Sequence, residues 1–217
     1  MDTHLKLERS SVALITIDVQ NDFCLPGAPA EMPGAHQAIP QMVELLRTFR
    51  RTGKWVIHVV RLYLPDGSNA DLCRRDTIRS GKRLVAPETK GAELVDELKL
   101  SQSVQLQSEL LLQGHVQLLG DHEVVMYKSR WGAFYHTPLE EFLKERGIDS
   151  LVFCGCNFPN CPRASIYEAS ERDFKVAIAT DAISGLYAEG VKELERIGVS
   201  IQDTPGIIAW LGANAIR

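Results

Sequence analysis

Three side chains able to share one reaction lie far apart in this chain: a carboxylate at Asp18, an amine at Lys128 and a thiol at Cys161. Asp18 falls near the end of the apolar run "VALITIDV". Lys128 directly follows "EVVMY", and Cys161 comes a short broken stretch after "SLVFCGC". In open α/β sheets, ligands bind beyond the carboxyl ends of the strands, so all three residues fall where chemistry is expected. A free thiol is mostly protonated near neutrality, but a neighbouring ammonium and the positive end of a helix both favour thiolate. Cys161 opens the helical segment "CPRASIYEASERD", and Lys128 could supply the ammonium. A carboxylate within hydrogen-bond distance can take the thiol proton and return it to a leaving amine. The broken stretch "GCNFPN" can turn backbone N–H groups toward an oxyanion. Together these features describe an acyl-transfer site. Taken singly, each residue has a plainer reading: Asp18 as a turn residue, Lys128 as a solvated cation, Cys161 as core filler. Their coincidence at three strand ends favours the shared role.

A metal centre built on Cys154, Cys156 and Cys161 fits poorly. Structural zinc normally takes four ligands in closely paired groups, and this cluster has no nearby histidine. Cys154 and Cys156 read as core or pocket wall, whereas Cys24 and Cys73 fall in expected loops. For a pocket, Phe23, Trp131 and Tyr135 offer a ring-accepting wall. Arg61, Arg74, Arg75 or Arg163 could hold a carboxylate, since a guanidinium pairs bidentately with that group. Asn69 is a further polar candidate.

The elements that must position these groups follow from pattern. Besides the three runs above, "KWVIHVV", "FKVAIATDA" and "VSIQDT" read as strands. Most lack strict polar alternation, as expected of parallel strands covered on both faces. Helical periods lie between them. "GAHQAIPQMVELLRTFRRTG" puts Ile39, Met42, Val43, Leu46 and Phe49 on one stripe, and "TPLEEFLKERG", "PRASIYEASERD" and "AEGVKELERIG" supply three more helices. A short helix is expected over "GAELVDELK". Strand and helix alternate, which predicts a three-layer α/β/α fold with a six-stranded, mostly parallel sheet, as one domain over residues 1–217. The region from about Leu62 to Lys90 reads as a long irregular excursion after a strand, placed to serve the pocket or a subunit contact.

Composition limits the partners. The formal net charge of -4 comes without a long basic or acidic block, so no nucleic-acid footprint is expected. No stretch approaches membrane-spanning length and the first residues lack a secretory pattern, so a cytoplasmic location is expected. Five scattered cysteines are not a disulfide framework.

The strings "ALITIDVQNDFCLPG", "YKSRWGAFYHTPLEEFL" and "LVFCGCNFPNCPRASIYEASERDFKVAIATDAISG", in that order across nearly the whole chain, resemble the isochorismatase-like family of cysteine hydrolases. The resemblance implies a six-stranded parallel sheet and Asp18, Lys128 and Cys161 as a catalytic triad. It also implies hydrolysis of small amide or carbamoyl compounds through a thioester, in homodimers or homotetramers whose interfaces can complete the pocket. In relatives the loop before the nucleophile contains a non-proline cis peptide and supplies the oxyanion amides. By position these are Phe158 and Cys161, with Asn157 beside them as a substrate-binding candidate. Here Phe158 and Pro159 stand where Thr and Asn are common, and Pro159 has no N–H to donate. The Asp-x-His metal motif of the nicotinamidase branch is replaced by "VVRLYLPDGSN", and His58 falls inside a strand, where packing is expected. No metal or cofactor is therefore expected. Cys161 weighs against the vinyl ether hydrolases of the family, and "KSRWGAFYHTPL" with "ELVDEL" looks most like the ureidoacrylate and biuret amidohydrolases. Ester or hydrazide hydrolysis at the same site, or a non-catalytic binding module, remain as alternatives.

Overall fold

The computed structural model describes residues 3–212. Seven strands form one sheet: β1 (Val12–Ile17), β2 (Trp55–Val60), β3 (Gln117–Gly120), β4 (Glu123–Tyr127), β5 (Ser150–Gly155), β6 (Lys175–Ile183) and β7 (Ser200–Gln202), in the order β3-β4-β2-β1-β5-β6-β7. Every ladder is parallel except β3 with β4. The six apolar runs are all strands, and the sheet gains a seventh that the sequence pattern missed. β3 reads "QLLG", without a β-branched run, and lies on the edge with Leu118 turned to solvent. The remaining β1 neighbours cover both its sides, and every residue of β1 and β5 is buried, as strands packed on both faces require.

The helices are α1 (Asn21–Cys24), α2 (Ala35–Arg51), α3 (Leu72–Arg79), α4 (Ser108–Leu112), α5 (Leu139–Glu145), α6 (Cys161–Ser170), α7 (Ala188–Arg196) and α8 (Thr204–Gly212), completing a three-layer α/β/α arrangement. α2 buries Ile39, Met42, Leu46 and Phe49 of the expected stripe, with Leu45 added and Val43 half-buried. It packs on β1, β2, β5 and β6 beside α8. The expected helix over "GAELVDELK" is instead two 3-10 turns, Lys90–Ala92 and Asp96–Leu98. The excursion after β2 carries α3, an element the pattern did not reveal. Among the described residues, no helix is long and apolar enough to cross a membrane.

A buried polar chain ties three strands to α2. Thr16 Oγ1 lies 2.8 Å from His58 Nδ1, and His58 Nε2 lies 3.0 Å from Glu123 Oε1. Arg50 grips both Glu123 oxygens, at 2.7 and 2.6 Å, and also donates to the Leu98 carbonyl. His58 is thus a packed strand residue, as expected. Burial alone would raise the Glu123 carboxyl, but the bonds from Arg50 and His58 outweigh it and lower its pKa to about 2.

Candidate active site

Asp18 leaves β1 with a left-handed backbone, φ 53°, its N–H bonded to the Val59 carbonyl of the neighbouring strand. Its own carbonyl accepts from the Gln20 N–H at 2.9 Å and from the Cys156 thiol at 2.9 Å. Cys24 Sγ stands 3.5 Å from Cys156 Sγ, so two buried thiols back the turn that aims the carboxylate. Lys128 leaves β4 with its N–H on the Val60 carbonyl, and its fully buried ammonium donates to Asp18 Oδ2 at 2.9 Å. The other carboxylate oxygen, Asp18 Oδ1, is buried and has no hydrogen-bond partner among the described residues.

Cys161 reaches the same place through the loop after β5. Gly155 has φ 125°, and a Cβ there would strike the Ile17 carbonyl oxygen, so only glycine fits where β5 turns against β1. The Cys156–Asn157 peptide is cis. The end of β6 then pins the loop, with Ser184 N–H donating to the Gly155 carbonyl and Phe158 N–H donating to the Ser184 carbonyl at 2.8 Å. This corrects one expectation. The Phe158 amide is already committed to Ser184, and its ring is buried edge-on to Tyr187, over Gly190, where any Cβ would collide with it. Phe158 is not an available oxyanion donor. Among the described residues, the loop amides of Asn157 and Cys161 donate to no acceptor, and Pro159 has none.

A cavity of about 10 Å³, room for roughly one water, is lined by Asp18, Phe23, Arg61, Trp131, Asn157 and Cys161 among others. Six residues singled out from sequence thus meet at one cavity wall, with Lys128 directly behind Asp18. Asn69 does not reach it. Its amide is consumed by the Leu62 carbonyl and the Leu64 N–H inside the excursion and by the Tyr127 hydroxyl of β4. Tyr135 also stays away, exposed and stacked edge-on against His136. Of the four arginines, Arg61 and Arg74 line the cavity; Arg75 donates to the Ala70 carbonyl, and Arg163 pairs with Glu193 at 2.6 Å. Cys156 forms part of the wall, while Cys154 is core, its thiol pushed up to about 12 by burial. Cys73 is exposed on α3, and Cys24 is buried at the end of α1.

Sequence reasoning missed Asp71 and Tyr63. Arg61 donates to Asp71 Oδ2 at 3.1 Å and to the Arg130 carbonyl at 2.7 Å, and the Tyr63 hydroxyl donates to Asp71 at 2.8 Å. Tyr63 could have been found, since it shares a side with Arg61 two residues earlier in an extended segment. Asp71 carried no such signal. The loop from Lys128 to Tyr135 is docked onto α6 by Ala133 N–H to Ser165 Oγ and Phe134 N–H to Glu168, which sets Trp131 at the cavity.

The thiol is held protonated. Burial is the main cause and the Asp18 carboxylate the next, and they outweigh Lys128 and Arg61 to raise the Cys161 pKa to about 11. Arg61 Nη2 lies 3.8 Å from the sulfur. The helix end and ammonium, expected to favour thiolate, are thus outweighed by burial and by Asp18. Among the described residues, no group of three or more His, Cys, Asp or Glu is arranged to hold a metal ion.

The sequence matches the isochorismatase domain model over residues 12–196. A protein of Arabidopsis thaliana described as a probable inactive nicotinamidase is 31% identical over 208 residues, covering 92% of this chain and 94% of its own. Maleamate amidohydrolase of Pseudomonas putida is 26% identical over 189 residues, covering 82% of this chain and 74% of its own. Among solved structures, an isochorismatase family protein from Desulfovibrio vulgaris superposes with a TM-score of 0.79 at 32% identity, covering 93% of this chain and 98% of that one. With the family model spanning nearly all of the sheet and these relatives matching almost end to end, the chain belongs to the isochorismatase family.

Proposed function

We propose that this protein hydrolyses the C–N bond of a small amide or carbamoyl compound, with Cys161 as nucleophile, Asp18 as general base and acid, and Lys128 as the cation that orients Asp18. The observation that carries this reading is the buried, unpartnered Asp18 Oδ1 in the same cavity wall as a protonated thiol. A buried acceptor without a donor is costly, and a proton in flight from Cys161 is what such an atom can receive. As the sulfur attacks the carbonyl carbon, Asp18 takes the thiol proton, and the N–H groups of Asn157 and Cys161 receive the developing oxyanion. Asp18 then protonates the leaving nitrogen, and ammonia or an amine departs, leaving a thioester. Water attacks that thioester while giving a proton back to Asp18, and release of the acid regenerates the thiol. Arg61, 3.8 Å from the sulfur, adds positive potential as charge builds there.

Relatives named maleamate amidohydrolase, N-carbamoylsarcosine amidase and ureidoacrylate amidohydrolase support the substrate class. Likeness to the Arabidopsis protein described as probably inactive makes a non-catalytic binding module the rival reading. The deciding experiment is ammonia release from a panel of small primary amides and ureido acids, with intact-mass detection of an acylated Cys161. Cys161→Ala and Cys161→Ser should both abolish turnover and the adduct; activity surviving in Cys161→Ala would rule out this mechanism.

A further inference from the structure

The charges around the cavity pair off, with one left over. Asp18 is matched by Lys128, and Arg61 by Asp71. Arg74 lines the same cavity, and among the described residues it makes no ion pair. Neither neighbouring acid cancels it: the Tyr63 phenol is raised by burial and the Cys161 thiol is raised as described, so both are neutral near pH 7. The wall therefore carries one positive charge more than it balances. A neutral occupant would leave that charge uncompensated beside the cavity, whereas one carboxylate would complete the pairing.

We propose that the site takes a monoanionic substrate, a small amide or carbamoyl compound bearing one carboxylate, and that Arg74 is the residue that holds this carboxylate. This rests on the hydrolase reading for the identity of the scissile group, but not for the anion. Arg61 is a poorer clamp, because both of its terminal nitrogens are already engaged, by Asp71 and by the Arg130 carbonyl. Arg74 is half-buried on α3, with its guanidinium carbon 5.8 Å from the centre of the Trp131 ring, while Arg61 stands 5.3 Å from the same ring. The ring attracts the guanidinium, and among the described residues the Arg74 side chain donates no hydrogen bond, so its N–H fork can take a carboxylate.

The test uses two electrophiles that place the same carbon on the Cys161 sulfur and expel iodide: anionic iodoacetate and neutral iodoacetamide. Their one-carbon-longer homologues cover a greater reach. Alkylation at Cys161 is followed by site-resolved mass spectrometry, and the anionic-to-neutral rate ratio is compared with that of N-acetylcysteine. The expected ratio at Cys161 exceeds the free-thiol ratio by about tenfold to a hundredfold, the range for one charge-assisted contact. Arg74→Gln should collapse that excess, with a thermal midpoint near that of the native protein reporting an intact fold, and Arg74→Lys should restore part of it. A Cys161 ratio equal to the free thiol's, or an excess that survives Arg74→Gln, would overturn the proposal. Because alkylation needs no turnover, a missing anion preference alongside ammonia release sinks only the Arg74 assignment, and the converse sinks only the hydrolase reading.

Discussion

The protonated resting state of Cys161 leads to an experiment in which one substitution moves two readouts in opposite directions. With the thiol at about pKa 11 against an ordinary value of 9.0, the thiolate fraction at neutral pH is lower by about two powers of ten. Alkylation by iodoacetamide, with exposed Cys73 removed as Cys73→Ser, should therefore be about a hundredfold slower at Cys161 than at an accessible thiol of ordinary pKa. Its rate should climb about tenfold per pH unit from roughly pH 7 to 10 without levelling off, because thiolate is the reacting form. Asp18→Asn removes the second-largest cause of the raised pKa and leaves Lys128 and Arg61 in place. Loss of one nearby like charge is worth roughly one unit, so alkylation near neutrality should accelerate about tenfold. Turnover should nevertheless be lost, since the proton acceptor is gone. A rate plateau below about pH 8 would mean a resting thiolate–cation pair, and slower alkylation in Asp18→Asn would refute the electrostatic account of the site.

Glu123 gives a stability test remote from the chemistry. Its pKa falls from 4.5 unfolded to about 2 folded, so its contribution is present above the unfolded value and is lost as pH drops from about 5 toward 2. That amounts to roughly 3 kcal/mol, and urea unfolding between about pH 6 and 3 should show a steeper loss for the native protein than for Glu123→Gln; parallel curves would exclude it. Gly155→Ala should destabilise by about 3 kcal/mol or more, because its Cβ meets the Ile17 carbonyl, and a thermal midpoint within a degree or two of the native protein would contradict the close approach. Cys156→Ser keeps a donor for the Asp18 carbonyl and should lower kcat less than Cys156→Val, with KM little changed in either; equal kcat losses would remove the thiol's positioning role.

The parts of the fold that could be read in advance are those whose physics is local. A run buried on both faces declares a parallel strand, and all six apolar runs were strands, although β7 at the edge is only half-buried. β3 escaped because a four-residue edge strand needs no apolar run of its own, only the backbone of β4 to pair with. That Asp18, Lys128 and Cys161 would come together was legible because each follows a strand end. That the Phe158 amide is not free for an oxyanion was not legible, since its fate depends on a carbonyl brought up by the far end of β6. Asn69 and Tyr135 had the right chemistry for a pocket. Asn69, however, spends its whole amide on its own excursion and on Tyr127 of β4, and Tyr135 lies on the outward side of a loop docked by its neighbours. Asp71 became visible only once its guanidinium partner was seen.

The groups proposed for chemistry and for recognition are anchored in different parts of the molecule. Asp18, Lys128 and Cys161 depend on sheet ladders: main-chain bonds to Val59 and Val60, and the turn of Gly155 against Ile17. Arg74 rides on α3, in an excursion outside the sheet ladders, fastened by buried side chains such as Ile78 and Val85 and by polar contacts such as Asp71 to Arg61 and Asn69 to Tyr127. Such a division makes the protein a natural chassis for redesign. The segment around α3 can be exchanged to alter what enters while the reacting atoms keep their coordinates, so substrate range and catalytic competence can be inherited, or engineered, as separate traits.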